Sequence, residues 1–245
     1  MKYFMEPDYN SLSRRVCDIL LDTIRRNPKA VIVLPTGHSP LGAYRLFVKK
    51  AREEELRLDE ITWVQLDEWA GLSADNPSSC GYFLRKELLE PLSIEPSYFI
   101  EFHGEAPDLE EECKRVSERI KAAGKISLMM LGVGKNGHIG LNEPENVWHM
   151  SVHPVKLSQK SMTHLMLAHE LEKPTQGLTI GMELLFQAEE ILLIATGSDK
   201  KEAIAFLFKD IVSPHCPVSI LKLHANAICV MEKETYQEAV EVNIV

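Results

Sequence analysis

The segment Leu131–Pro144, LGVGKNGHIGLNEP, sets one histidine among four glycines, Gly132, Gly134, Gly137 and Gly140. Glycines permit positive φ and let backbone N–H groups come close to a ligand. Imidazole is the side chain suited to passing a proton near neutral pH, and His138 is the only one in the loop. Five residues on, Glu143 precedes Pro144, which biases it toward an extended conformation. A carboxylate beside an imidazole orients the ring and favours its protonated form. The same residues also fit a glycine-rich turn around a buried, satisfied histidine. GVGKNG has no acidic ribose partner about 20 residues later, which counts against dinucleotide binding.

Three further segments carry candidate chemistry. In Leu66-Asp67-Glu68-Trp69 two adjacent carboxylates end an apolar run. On an extended chain they face opposite ways, so one can enter a site as a proton-abstracting base while the other points away. A solvated turn or a helix cap is the alternative. In Leu34–Gly42, LPTGHSPLG, a run ends at Thr36-Gly37 and a helix is expected near Pro40, with Ser39 as its N-cap. Hydroxyls and free N–H groups at such a start make an anion site, unless they serve capping alone. Ala195–Lys201, ATGSDKK, repeats the pattern with Lys200 and Lys201 in the first helical turn. Cations there oppose the helix dipole unless an anion sits beside them, or unless the lysines are simply solvated.

The elements that must hold these segments are legible as apolar runs and periodic stretches. Ala30–Pro35, Ile61–Leu66, Ile126–Gly132, Ile191–Thr196 and Ala227–Met231 are apolar on both parities and read as buried strands. Tyr9–Arg26, Gly42–Glu55, Tyr82–Leu89, Leu109–Ala123 and Lys201–Phe208 fit a helical period. About 30 residues precede the first strand and read as one helix. The alternation predicts an α/β fold, a doubly wound and mainly parallel sheet with helices on both faces. Ligands bind such sheets over the carboxyl ends of the strands. Residues 1–245 read as one domain. Residues 146–176 carry five histidine or tryptophan side chains without a clear period, and are expected to form a partly helical flap over the site.

Composition narrows the function. The net charge of −9, from 27 basic and 36 acidic residues, argues against nucleic acid as a partner. Five cysteines lack CxxC spacing and read as reduced thiols. No signal peptide or apolar run of about 20 residues is present, so no membrane partner is expected and a cytoplasmic location is.

LPTGHSPLGAY, LDEWAGL, LGVGKNGHIGLNEP, GLTIGMELLFQAEEILLIATGSDK and CPVSILKLH, in this order and spacing, resemble the glucosamine-6-phosphate deaminase/isomerase family. The similarity runs from about Ala30 to Met231 and is nearest to the galactosamine-6-phosphate isomerase branch. The resemblance implies an amino-sugar 6-phosphate converted with water to a ketose 6-phosphate and ammonia. It implies neither metal nor organic cofactor, a small sugar phosphate as the partner, and leaves self-association into a homo-oligomer open. Asp67 matches the base that moves a proton from C2 to C1. His138 matches the residue assisting ring opening, and Glu143 the carboxylate holding it. Thr36, Gly37, Ser39 and Lys200 match phosphate-binding positions. Three positions depart from the family pattern. Asn136 stands where many members have Asp, and is expected to hold the imidazole by a hydrogen bond. His38 replaces a small residue, and is placed at the phosphate or in solvent. His164 falls near a flap arginine that clamps phosphate in glucosamine-type members.

Two alternatives share this fold. A 6-phosphogluconolactonase resembles a GHTASLFP-type ending and a DER-type turn, which this sequence lacks. A non-catalytic sugar-phosphate sensor would carry a DNA-binding segment ahead of the first strand.

Overall fold

A computed structural model describes residues 1–242. In chain order the elements are β1 (Lys2–Glu6), α1 (Tyr9–Arg26), β2 (Val31–Leu34), α2 (His38–Glu53), β3 (Thr62–Gln65), β4 (Asp67–Trp69), α3 (Cys80–Leu84), β5 (Phe99–Ile100), α4 (Leu109–Ala123), β6 (Ile126–Gly132), β7 (His153–Lys156), α5 (Gln159–Met162), β8 (Gln176–Thr179), α6 (Met182–Gln187), β9 (Ile191–Ala195), α7 (Lys201–Ala205), β10 (Ala227–Glu232) and α8 (Lys233–Val242).

Seven strands form one parallel sheet in the order β1-β10-β9-β6-β2-β3-β5. Strand parity decides which layer each side chain joins. Ile32, Leu34, Trp63, Leu128, Met130, Leu192 and Ile194 pack under α1 and α2. Their neighbours Val31, Val33, Val64, Met129, Leu131 and Leu193 pack under α4, α6, α7 and α8. Both faces are therefore covered, as runs apolar on both parities require.

From β2 the chain moves outward through β3 to β5, then returns to lay β6 against the other side of β2. The crevice between the carboxyl ends of β2 and β6 is thus a topological switch point, where open α/β sheets bind ligands. The two segments leaving it are Pro35–Ser39 and Val133–Pro144.

Local signals set the helix ends. Asp8 caps α1, its carboxylate accepting from Ser11 N–H at 2.7 Å. Asp108 caps α4 by accepting from Glu110 and Glu111 N–H, and three glutamates fill that first turn, where the helix dipole favours them. The expected helix over Tyr82–Leu89 begins earlier, at Cys80, and widens into a π turn over Arg85–Leu89. The expected helix over Lys201–Phe208 tightens into a 3-10 turn at Phe206–Phe208.

Two expectations are corrected and a third is extended. The residues before β2 are not one helix, because Lys2–Glu6 forms an edge strand parallel to β10. Helix α2 starts at His38 rather than near Pro40. Its N-cap is Gly37 at φ 96°, no side chain caps it, and Ser39 lies inside the first turn. Residues 146–176 are built around sheet as much as helix: β7 and β8 pair antiparallel, and β8 continues the pairing onto β4. These residues are therefore stitched to the strand that carries Asp67.

Candidate active site

The chain changes sheets at Leu66. Its N–H donates to Leu34 O in the large sheet, while its carbonyl accepts from Ile180 N–H beside the small one. Asp67 and Glu68 follow at this corner, and their fates differ. Glu68 is 2% exposed, and its two oxygens accept five hydrogen bonds. Trp69 N–H (2.8 Å) and Cys80 N–H (2.9 Å) donate to Oε1. Gln65 Nε2 (2.9 Å), Ser79 Oγ (2.7 Å) and Gly81 N–H (2.9 Å) donate to Oε2. Burial pushes its carboxyl up, and these bonds oppose the rise.

Asp67 is also buried but receives little of this. Burial, then the charge of Glu68, lift its pKa to about 7, and a hydrogen bond from the Cys80 thiol lowers it in part. A carboxylate that ionises near neutrality is matched to accepting a proton from carbon. Cys80, read from sequence as a reduced thiol, also receives the Thr36 hydroxyl at 3.3 Å and so joins Asp67 to the start of α2. Nothing in its spacing signalled that place.

The glycine loop lies against the same corner. Leu141 N–H donates to Thr179 Oγ1 at 3.0 Å, and Thr179 is the strand partner of Asp67. In the loop, His138 Nδ1 faces Ser161 Oγ at 3.2 Å and Glu143 Oε2 at 3.7 Å. A carboxylate only accepts, so this surrounding favours the proton on Nδ1 and leaves Nε2 free. The ring rests on Gly134, where a Cβ would lie 2.3 Å from Nε2. Burial works to raise the Glu143 carboxyl. His138 and bonds from Ser161 and the Ser158 N–H overcome it, holding the pKa down at about 2. Ser158 and Ser161, from the flap, escaped the sequence reading because their contacts are set by the fold.

Asn136 does not hold the imidazole as expected. Its Nδ2 donates to Glu143 Oε2 at 2.7 Å and to Ser158 Oγ at 3.2 Å, and its Oδ1 accepts from the His138 backbone N–H. It positions the carboxylate, and the ring follows.

A polar cluster closes the other side of the crevice. Ser39 Oγ meets Thr196 Oγ1 at 2.9 Å and Lys200 Nζ at 3.2 Å. Thr196, which directly follows β9, was read from sequence as the end of that strand. Burial lowers the pKa of Lys200, which sits at the N-cap of α7. His164 lies over Gly37, where a Cβ would be 3.6 Å from its Cε1, with Trp69 on another side at 5.8 Å between ring centroids. Burial pushes His164 down to about 4, so its ring is neutral, and its Nδ1 accepts from Met166 N–H. Thr36, Gly37, Ser39, Lys200 and His164 are thus brought together. His38 is not: it is exposed, stacked on Tyr9 at 4.8 Å on the outside of α2. One residue on a helix turns its side chain by about 100°, which separates it from Ser39. Among the described residues no group of three or more His, Cys, Asp or Glu side chains is arranged to hold a metal ion.

Residues 8–230 match the family of glucosamine-6-phosphate isomerases/6-phosphogluconolactonase. The chain belongs to this family of enzymes. The AgaI protein of Escherichia coli (strain K12) is 37% identical over 91% of this chain and 89% of its own length. Glucosamine-6-phosphate deaminase 1 of Bacillus subtilis (strain 168) is 33% identical over 96% of this chain and 98% of its own. The solved structure of a monomeric glucosamine-6-phosphate deaminase of the NagB superfamily superposes with a TM-score of 0.92 at 33% identity, over 97% of this chain and 100% of that one. The 6-phosphogluconolactonase of Trypanosoma cruzi shares the fold, with a TM-score of 0.79 at 17% identity, over 96% of each chain.

Two predictions follow from the family's site as built here. In Glu68→Gln, either orientation of the amide turns its NH2 toward two N–H donors. We expect a loss of roughly 3 kcal/mol in urea unfolding. With the neighbouring charge gone, Asp67 followed by carboxyl NMR should titrate below its wild-type value. Asn136→Asp sets two carboxylates against each other where an amide bonded Glu143. Its deficit in thermal stability should be larger at pH 8 than at pH 5, because protonating one of the pair relieves the repulsion. An equal deficit at both values would mean that Asn136 does not hold Glu143.

Proposed function

We propose that the chain converts a 2-amino-2-deoxyhexose 6-phosphate and water to the ketose 6-phosphate and ammonia. The observation that carries this is Asp67: a buried carboxylate tuned to about 7, joined through Cys80 to Thr36 at the start of α2 and through its strand partner Thr179 to the glycine loop. The relatives named as glucosamine-6-phosphate deaminases support the substrate class.

In this reading Thr36, Gly37, Ser39, Lys200 and His164 receive the phosphate, through the open N–H groups of α2, two hydroxyls, one ammonium and a neutral imidazole N–H. His138, oriented by Glu143 with Asn136 behind it, takes the proton of the anomeric hydroxyl on its free Nε2 and passes it to the ring oxygen as the ring C–O bond breaks and the C1 carbonyl forms. Asp67 takes the C2 proton, leaving an enolamine, and returns it to C1. The resulting imine at C2 adds water and releases ammonia. The sequence's likeness to the galactosamine-6-phosphate branch favours the galacto epimer. No helix of the described residues is long and apolar enough to cross a membrane. Five unpaired, buried cysteines suit a reducing cytoplasm.

The test is ammonia release from galactosamine 6-phosphate and glucosamine 6-phosphate, with 6-phosphogluconolactone hydrolysis alongside. We expect ammonia from at least one amino sugar. Lactone hydrolysis without ammonia would instead select the lactonase reading, which needs no base at C2. Below pH 7, kcat/KM should fall about tenfold per unit as Asp67 protonates. Asp67→Asn should nearly abolish ammonia release and yet stabilise the fold. The wild-type carboxyl titrates higher when folded than when unfolded, so ionised Asp67 destabilises the native state fully above pH 7 and progressively less toward pH 4. The variant's gain in urea midpoint should follow that course.

A further inference from the structure

The phosphate reading leaves a charge imbalance. A sugar phosphate carries nearly two negative charges at neutral pH, because its second pKa is about 6. Among the described residues, Lys200 is the one cation inside the cluster, and His164 is neutral there. A second cation lies at the rim. Lys135, in the glycine loop directly before Asn136, reaches from the end of β6 toward the end of β9 and pairs with Asp199 Oδ2 at 3.0 Å. Asp199 belongs to the turn Ser198–Lys200, so the pair bridges the loop bearing His138 and the turn bearing Lys200. The Lys135 charge is felt at both Lys200 and His164, where it adds to the lowering that burial begins.

The arrangement is poised for exchange. Lys135 is 64% and Asp199 48% exposed at their side chains. Such surface pairs contribute about 0–1 kcal/mol, so leaving one costs little. A phosphate dianion offers the same ammonium a doubly charged acceptor in a less solvated place. Asp199, meanwhile, presents a carboxylate to an incoming anion, and Lys135 masks it.

We propose that Lys135 is a second phosphate-binding cation, held by Asp199 in the free enzyme and transferred to the substrate's phosphate on binding. The proposal rests on the sugar-phosphate reading for the identity of the ligand. In it the glycine loop itself senses the phosphate: the residue that reaches the anion is bonded in sequence to Asn136, which holds Glu143.

The experiment pairs two variants with opposite expectations. Inorganic phosphate is the binding probe, titrated by calorimetry and used as an inhibitor of ammonia release. Lys135→Gln should weaken phosphate binding and raise KM about tenfold, with kcat within twofold of wild type. Lys135→Arg should restore most of the loss. Asp199→Asn should tighten phosphate binding and lower KM a few-fold, since the competing carboxylate is gone. Both effects should shrink as ionic strength rises. Unchanged phosphate affinity in Lys135→Gln would overturn the proposal. So would a weakening in Asp199→Asn equal to that in Lys135→Gln, which would make the pair a strut between two loops. Phosphate calorimetry decides this even if neither amino sugar yields ammonia, so the two readings fail separately.

Discussion

Five hydrogen-bond donors converge on the carboxylate of Glu68, and the chemistry of the crevice follows from that allocation. A buried anion is tolerated only when its lone pairs are filled. Glu68 takes the donors of three segments, Gln65, Trp69 and Ser79–Gly81, and so ties the end of β3 to the start of α3. Its neighbour is left beside an ionised group in the same dry corner, with a thiol as its hydrogen-bond donor. One acid is spent on architecture, and the adjacent one is thereby made a base near neutrality.

The corner exists because the chain leaves one sheet for another at a single residue. Leu66 bonds to both, so the alternation of an extended chain sends Asp67 and Glu68 into different surroundings. The antiparallel pairing of β4, β8 and β7 then folds residues 146–176 back over the strand ends. It delivers Ser158 and Ser161 to the histidine–glutamate pair and His164 to the start of α2. Glu143 stays ionised far into acid because His138 faces it, with Ser161 and the Ser158 N–H adding to the effect. Packing residues 146–176 onto the loop and setting the histidine therefore go together.

What the sequence displayed was what local physics decides. Tyr9–Arg26 and Leu109–Ala123 are helices to the residue, because apolar period and capping aspartates agree there. The five apolar runs became strands, and the switch point followed from their alternation with helices. Strands β1, β4, β5, β7 and β8 stayed hidden: they are short and made by pairing with distant segments. At the site, the types and positions of Asp67, His138, Glu143, Thr36, Ser39 and Lys200 were legible. Their partners were not. Asn136 bonds the carboxylate instead of the ring, and His38 turns outward because the helix begins two residues before Pro40. Cys80 touches Asp67 only because α3 is anchored by Glu68. Side-chain orientation depends on where an element starts, and sequence boundaries are least certain there.

Gly37 opens α2 with no side chain to cap it. The first-turn N–H groups therefore end on whatever occupies the crevice. An anion seated there completes the helix as a serine or aspartate does elsewhere, and it can do so only when the chain is folded. Its binding free energy adds directly to that of folding. Occupancy and lifetime are then coupled: a molecule starved of ligand lacks that contribution, and is the first to be lost to unfolding and proteolysis.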